Sequence, residues 1–86
     1  MGYLCPVCGY PNLTELPRSH DSGASYEICP SCGFEFGVSD DDLGYTFERW
    51  CQEWVQRGMP WSSVGIAPPP DWDPATQLRS AARNAG

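Results

Sequence analysis

The sequence contains no lysine, and its five basic residues are all arginines, spread along the chain without a cluster. A protein that binds nucleic acid needs a positive surface to meet the phosphates. With 11 acidic residues and a formal net charge of −6, the composition argues against nucleic-acid binding. The same charge favours a basic protein as partner.

No run of about 18 apolar residues is present, so no membrane-spanning helix is expected. The first residues, MGYLCPVC, also lack the basic and apolar stretches of a secretion signal. We therefore expect a cytoplasmic protein. In a reducing compartment, closely paired cysteines serve as metal ligands more often than as disulfides.

The chain repeats one pattern, an apolar residue followed by Cys-Pro-x-Cys-Gly and an aromatic residue. It occurs as LCPVCGY at residues 4–10 and as ICPSCGF at residues 28–34. We call residues 5–9 the first motif and residues 29–33 the second motif. A chain of 86 residues buries a small core and gains from a metal staple.

Each motif supplies two thiolates, which is half of the tetrahedron that zinc prefers. The proline in each motif fixes φ, and the glycine that follows the second cysteine permits the positive φ of a tight turn. The sequence predicts one zinc ion per chain, with iron as the alternative metal. Two buried thiol pairs or a labile disulfide are the other interpretation. The predicted ligands are Cys5, Cys8, Cys29 and Cys32.

Short antiparallel strands are expected between and after the motifs. Residues 12–14 and 25–28 favour a hairpin that brings the second motif back to the first. Residues 33–37 (GFEFG) alternate, which predicts a third strand with Phe34 and Phe36 on one face. His20 lies in the turn-rich segment between the motifs and is interpreted as an exposed loop residue, not a ligand.

An amphipathic helix is predicted over residues 39–58. Ser39 and Asp42 resemble a capping box, and Gly58 followed by Pro60 ends the helix. The three consecutive acids at residues 40–42 then form its solvated start rather than a metal or acid–base cluster. The apolar positions recur at helical spacing and are Leu43, Phe47, Trp50, Cys51, Trp54 and Val55.

Cys51 lies on this apolar stripe. We interpret it as a small buried hydrophobic residue rather than a fifth ligand. The aromatic face of the helix should pack against the sheet.

Residues 59–86 are rich in proline and tryptophan. With Trp61 and Trp72 in it, this segment is expected to wrap over the core; a proline-rich ligand for an aromatic groove is the alternative. Asp73 and Pro74 favour the start of a short helix that runs to about residue 83. The chain is thus one domain with three parts: a zinc ribbon (1–38), a packed helix (39–58) and a wrapping segment (59–86).

The two motifs resemble those of rubredoxins and rubredoxin-like zinc ribbons. Residues 3–42 further resemble the small cysteine-rich bacterial proteins of the CPCC family, although Val7 stands where that family often has a third cysteine. The resemblance implies a small α+β fold built on a rubredoxin-like zinc ribbon. It implies no activity, because the family has none that is settled.

Together these features predict a zinc-stabilised cytoplasmic protein-interaction module, a monomer or weak homodimer, whose process and partner the sequence does not name. A rubredoxin-like iron electron carrier is the alternative, and a nucleic-acid-binding ribbon is a weaker one. No enzymatic activity is expected, because four cysteines close the coordination sphere that a catalytic zinc keeps open.

Overall fold

The structure is a computed structural model in which residues 2–19 and 23–85 are described. In that part of the chain, short strands precede two helices, which gives a small α+β fold as predicted. The elements are β1 (Arg18–Ser19), β2 (Gly23–Ala24), α1 (Phe47–Gln56) and α2 (Pro74–Ala85).

Strands β1 and β2 pair antiparallel, with Arg18 opposite Ala24. The sequence predicts a loop here, so this small sheet is a structural finding. His20, predicted to be an exposed loop residue, lies outside the described residues. Neither α1 nor α2 is long and apolar enough to cross a membrane, within the residues that the structure describes.

Each cysteine motif forms the tip of its own short hairpin. Around the first motif, Tyr3 and Leu13 exchange main-chain hydrogen bonds of 2.9 and 3.0 Å. Around the second, Ile28 pairs with Glu35 across an isolated antiparallel bridge. In both hairpins the flanking bridge encloses the motif, although it lies closer to the second motif than to the first.

The predicted pairing of residues 12–14 with 25–28 is wrong. Each motif reverses the chain within a few residues, so its own flanks are the cheapest partners in loop-closure entropy. A side chain makes the connection instead. The Glu27 carboxylate accepts hydrogen bonds from the main-chain N–H groups of Thr14 and Glu15 at 2.9 and 3.1 Å.

Helix α1 begins at Phe47, eight residues after the predicted start at Ser39. Thr46 is its N-cap and accepts a hydrogen bond of 3.0 Å from the main-chain N–H of Arg49. The helix has its last residue at Gln56, and Gly58 follows with a φ of 92°. The predicted end of this helix therefore agrees with the structure to within two residues.

The predicted capping box of Ser39 and Asp42 is wrong because Ser39 has another partner. Its hydroxyl accepts a hydrogen bond of 3.2 Å from the main-chain N–H of Glu35, so Ser39 closes the turn of residues 35–39. Gly44 has a φ of 77°, a left-handed conformation that a helix does not continue through. Residues 39–45 therefore form consecutive turns that lead into α1.

The acidic run also has a different place from the one predicted. Asp40 accepts a 2.7 Å hydrogen bond from the main-chain N–H of Gly37 and forms an ion pair of 2.7 Å with Arg18. Arg18 also lies 3.3 Å from the carboxylate of Asp41. These acids tie the turns before α1 to strand β1 instead of starting the helix.

The predicted third strand over residues 33–37 is wrong, since only Glu35 forms a bridge there and turns follow it. Phe34 and Phe36 are nevertheless both fully buried, and α1 packs on them. Phe34 makes edge contacts with the rings of Phe47 and Trp50, whose centroids lie 5.4 and 5.3 Å away. Trp54, one turn further along α1, has 0 % of its surface exposed.

The buried apolar face of α1 is narrower than the sequence pattern predicts. Leu43 is 64 % exposed because it precedes the helix, and Val55 is 41 % exposed at the edge of the packed face.

The segment after α1 packs over the first motif. Trp61 contacts the ring of Tyr10 at a centroid distance of 5.7 Å, and Trp72 contacts Trp61 at 5.0 Å, both edge to face. Asp73 begins α2 as predicted, since its carboxylate accepts from the main-chain N–H of Thr76 at 3.3 Å. Both tryptophans pack against the buried cluster.

Candidate metal centre

Four cysteine sulfurs meet at the centre of the core. The Sγ atoms of Cys5, Cys8, Cys29 and Cys32 all lie within 4.8 Å of one another. Across the motifs, Cys5 and Cys32 are 3.9 Å apart and Cys8 and Cys29 are 3.6 Å apart. A tetrahedron with zinc–sulfur bonds of about 2.3 Å has edges of about 3.8 Å. The four cysteines are therefore positioned to bind a metal ion, and the donor set fits zinc.

The two motifs have the same main-chain hydrogen bonds. In the first, Cys5 donates to the carbonyl of Tyr10 at 2.8 Å and accepts from Gly9 at 2.9 Å. In the second, Cys29 donates to Phe34 at 3.0 Å and accepts from Gly33 at 2.8 Å. The repeat seen in the sequence is thus a repeat in backbone structure. Each turn presents its two sulfurs in the same way.

The glycines of the motifs have the conformation that the sequence predicts. Gly9 has a φ of 84° and Gly33 a φ of 81°. An L-residue with a Cβ is strained in this left-handed region. Both turns therefore depend on glycine at this position.

The four thiols are buried together, with at most 2 % of any cysteine exposed. Hydrogen bonding with Cys29, together with burial, raises the pKa of the Cys5 and Cys32 thiols. Hydrogen bonds from Cys29 first, and from other groups including Ser31, lower the pKa of Cys8. Four buried thiolates cannot coexist without a cation, because each repels the others. A bound divalent ion supplies that positive charge and favours deprotonation of all four.

A layer of donors from the two helices covers the motifs. The indole N–H of Trp50, on α1, donates to the carbonyl oxygen of Cys32 at 3.0 Å. The side-chain amide of Gln77, on α2, donates to the carbonyl oxygen of Cys8 and to the hydroxyl oxygen of Ser31, both at 3.1 Å. Each motif therefore has a carbonyl held by a side chain of a helix.

The amide of Gln77 is itself held in place. Its oxygen accepts a hydrogen bond of 2.9 Å from the indole N–H of Trp72. Nearby, the main-chain N–H groups of Ser62 and Ser63 donate to the carbonyl oxygen of Pro30 at 3.0 and 2.9 Å. The C-terminal half of the chain thus fixes the second motif through backbone contacts and both motifs through Gln77.

Sequence reasoning identified the four cysteines but missed Ser31 and Gln77. Ser31 lies between the predicted ligands Cys29 and Cys32 in the sequence and is fully buried. Its position inside the motif is the only local signal of this burial. Gln77 carries no local signal, because a glutamine within a helix is usually exposed. Trp50 was expected in the core, but its hydrogen bond to Cys32 was not expected.

Cys51 is separate from the four-sulfur cluster. It packs against the core in a partly buried position on α1, as predicted for a small hydrophobic residue. Burial raises the pKa of its thiol, so this group stays protonated near neutral pH. Among the described residues, the cluster positioned for a metal contains only the four cysteines of the motifs.

Comparison with curated proteins finds two similar chains of Bacillus subtilis (strain 168). The chain is 34 % identical over 71 residues to "Uncharacterized protein YoaQ", covering 66 % of this chain and 60 % of that protein. It is 31 % identical over 72 residues to "Uncharacterized protein YozI", with the same two coverages. The chain thus spans about 60 % of the length of these relatives.

A shorter similarity is to "Large ribosomal subunit protein bL32" of Halothermothrix orenii, 48 % identical over 27 residues. It covers 31 % of this chain and 47 % of that protein. No family model matches the chain. No solved structure matches it either. The resemblance to rubredoxin-like ribbons and to the CPCC family therefore stays a hypothesis.

Proposed function

We propose that the protein is a zinc-stabilised interaction module in which one zinc ion per chain holds the fold and the surface binds a basic protein partner. The observation that carries this proposal is the cluster of four buried sulfurs within 4.8 Å of one another, two pairs of which lie at 3.6 and 3.9 Å, close to the edge of a zinc–sulfur tetrahedron. Metal binding to such a site is folding free energy, so the ion supplies what a small core lacks. The ligands are Cys5, Cys8, Cys29 and Cys32.

The burial of this site favours a structural zinc ion over an iron ion that transfers electrons. A tetrahedral thiolate site accepts both metals. An electron carrier needs its iron close to a surface that a redox partner reaches, and these cysteines are at most 2 % exposed. The side chains of Trp50 and Gln77 also cover the motifs from the two helices. This enclosure favours a structural metal over the rubredoxin-like alternative.

The same site argues against catalysis. Four thiolate ligands fill the coordination sphere, which leaves no position for a water molecule or a substrate. We therefore infer that the protein acts by binding rather than by a reaction.

The charge of the protein indicates the kind of partner. Four thiolates and one zinc ion together add −2 to the formal net charge of −6, so the loaded protein carries about −8. Among the described side chains, Arg18 is paired with Asp40 and Arg49 with Glu53. This distribution favours a basic protein over a nucleic acid. We further propose a cytoplasmic location, where the thiols stay reduced.

Metal analysis of protein isolated from its native host tests the identity of the ion. We expect about one zinc per chain. A red protein with one iron and a reversible redox couple would make the electron carrier the better interpretation. Protein from overexpression is unsuitable, because abundant metal loads such a site regardless of its natural ion.

Affinity capture from the same host tests the interaction. Tagged protein should retain a basic protein that the Cys29→Ser variant, as the unfolded control, does not retain. Capture of a nucleic acid instead, sensitive to nuclease and to salt, would contradict the proposed partner class.

A further inference from the structure

A surface cleft of about 400 Å³ lies between the first motif and the start of α2. This volume is in the range of roughly 300–1,000 Å³ that is usual for ligand pockets. Its apolar lining comes from Leu4, Pro11, Pro69 and the indole of Trp72. Gln77 also lines it, so the cleft adjoins the residue that connects α2 to both motifs.

Two contacts hold the aromatic wall of the cleft in place. The indole N–H of Trp72 donates to the side-chain oxygen of Gln77 at 2.9 Å, which fixes one edge of the ring. The ring of Trp61 packs against it edge to face, with an interplanar angle of 78°. A ring held on two sides pays little conformational entropy when a ligand packs on its free surface.

The cleft is lined by two carboxylates, and only that of Asp73 has partners among the described residues. The oxygens of Asp73 accept hydrogen bonds from the N-terminal N–H groups of α2 and from the hydroxyl of Thr76. The positive charge of Arg79, which donates to Thr76 at 3.3 Å, lies close to Asp73. The neighbouring acid, Asp71, is exposed and has no hydrogen bond or ion pair with any of the described residues.

We propose that this cleft binds an arginine side chain presented by an extended segment of a basic protein partner. The proposal rests on the proposed function, since it locates the binding surface of the module. A guanidinium group stacks on an indole and pairs with a carboxylate, and Trp72 and Asp71 place one of each in the lining of the cleft. The aliphatic stem of an arginine packs on apolar walls such as those of Leu4 and Pro11.

The test is an NMR titration of the full-length, zinc-loaded protein with two short peptides. One is acetyl-Gly-Gly-Arg-Gly-Gly-amide, and the other has citrulline, the neutral analogue, in place of arginine. The indole N–H signal of Trp72 should shift saturably as the arginine peptide is added. The protein should bind the citrulline peptide several-fold more weakly. No shift up to roughly 10 mM arginine peptide would refute the site.

Two variants with the same change of charge locate the carboxylate. Asp71→Asn should weaken binding of the arginine peptide by roughly three- to fivefold, the scale of an exposed ion pair. Asp42→Asn removes an equal charge from an exposed acid outside the cleft and should leave binding unchanged. Equal effects of the two variants would show that only net charge matters and would overturn the proposal.

The outcomes separate this site from the proposed function. Metal content and the native capture experiment test the zinc and the basic partner without reference to the cleft. If the native partner is captured equally well by wild type and by Asp71→Asn, the module binds through another surface and the cleft proposal fails alone. If Asp71→Asn reduces the amount of partner captured and Asp42→Asn does not, the result supports the cleft as the binding surface.

Discussion

The side chain of Gln77 donates a hydrogen bond of 3.1 Å to the main-chain carbonyl of Cys8, a residue 69 positions earlier in the chain. The same amide group reaches Ser31 in the second motif. Helix α2 thereby joins the two halves of the candidate metal centre without supplying a ligand.

Substitution of Gln77 should therefore loosen the metal. Gln77→Ala removes the two hydrogen bonds to the motifs, of about 0.5–1.5 kcal/mol each, and also the one that Gln77 accepts from Trp72, so zinc transfer to a chromogenic chelator should be roughly tenfold faster. Gln52→Ala is the matched control, since Gln52 is exposed on α1. Equal transfer rates for the two variants would show that Gln77 has no part in holding the site.

Removal of the metal should unfold the protein. Chelation should abolish the near-UV circular dichroism signal, because the binding free energy of such sites is folding free energy. Serine at Cys5, Cys8, Cys29 or Cys32 should each abolish the cooperative unfolding transition. Cys51→Ser should retain it and cost only about 1–3 kcal/mol. A chelated protein with an unchanged near-UV signal would contradict a structural role of the metal.

Glycine-to-alanine substitutions at two positions separate the stability cost of backbone strain from that of steric crowding. Gly33 and Gly44 have φ values of 81° and 77°, so Gly→Ala should cost about 1–2 kcal/mol at each. A Cβ at Gly33 would also lie 2.6 Å from the hydroxyl oxygen of Ser62, whereas one at Gly44 meets nothing within 4 Å. Urea denaturation should therefore show the larger loss for Gly33→Ala. A larger loss at Gly44 would contradict the close packing of Ser62 on the second motif.

The two central tryptophans of α1 should differ in their contribution to stability. Trp54 is fully buried and Trp50 only partly. Trp54→Ala should cost roughly 3–5 kcal/mol, measured in urea with zinc present. Trp50→Phe keeps most of the packing and should cost about 0.5–1.5 kcal/mol for the lost hydrogen bond to Cys32. Free quenching of the Trp54 indole by acrylamide would contradict its burial.

Acid pH should destabilise the turns before α1, because it protonates the carboxylate of Asp40. Burial alone favours the neutral carboxyl, but hydrogen bonds from main-chain N–H groups, Gly37 first among them, hold the pKa of Asp40 below its usual range. A depressed folded-state pKa stabilises the protein above the unfolded value of about 3.9, and this contribution is lost as pH falls through the folded value. Asp40→Asn should therefore be less stable than wild type at pH 7.

The control for Asp40 is the pH dependence of that difference. It should shrink as pH falls below about 4, because wild type then carries a neutral carboxyl as well. The two proteins are compared only at pH values where metal analysis shows zinc bound to both, because the chain without metal is unfolded. Within that range, a stability difference that does not shrink towards acid pH would assign the effect to packing instead of charge.

The parts of the site that the sequence predicts are those whose chemistry is local. Cys5 and Cys8 lie in one turn, and the glycine that follows them has the conformation that this turn requires. The apolar face of α1 is similarly predictable, because residues on one side of a helix recur at fixed spacing.

The remainder depends on partners that the local pattern does not single out. Ser39 has the side chain of a helix cap, but its hydroxyl accepts a hydrogen bond from the N–H of Glu35, four residues earlier. Gln77 gains its role only when α2 reaches the motifs, and no local pattern distinguishes it from an exposed glutamine. Strand pairing was also mispredicted, because the choice between Leu13 pairing with Tyr3 or with the later segment depends on loop closure.

Ser31 and Gln77 are 46 residues apart, so the ribosome completes all four cysteine ligands well before it makes the residue that covers them. At about 5–20 residues per second, the interval is roughly 2–9 s. Before Gln77 is made, the four thiols are therefore not yet covered from α2; once Gln77 docks, its amide holds the carbonyl of Cys8 and the hydroxyl of Ser31. Under the proposed function, an ion enters the site most easily before Gln77 docks, and Gln77 then slows its release.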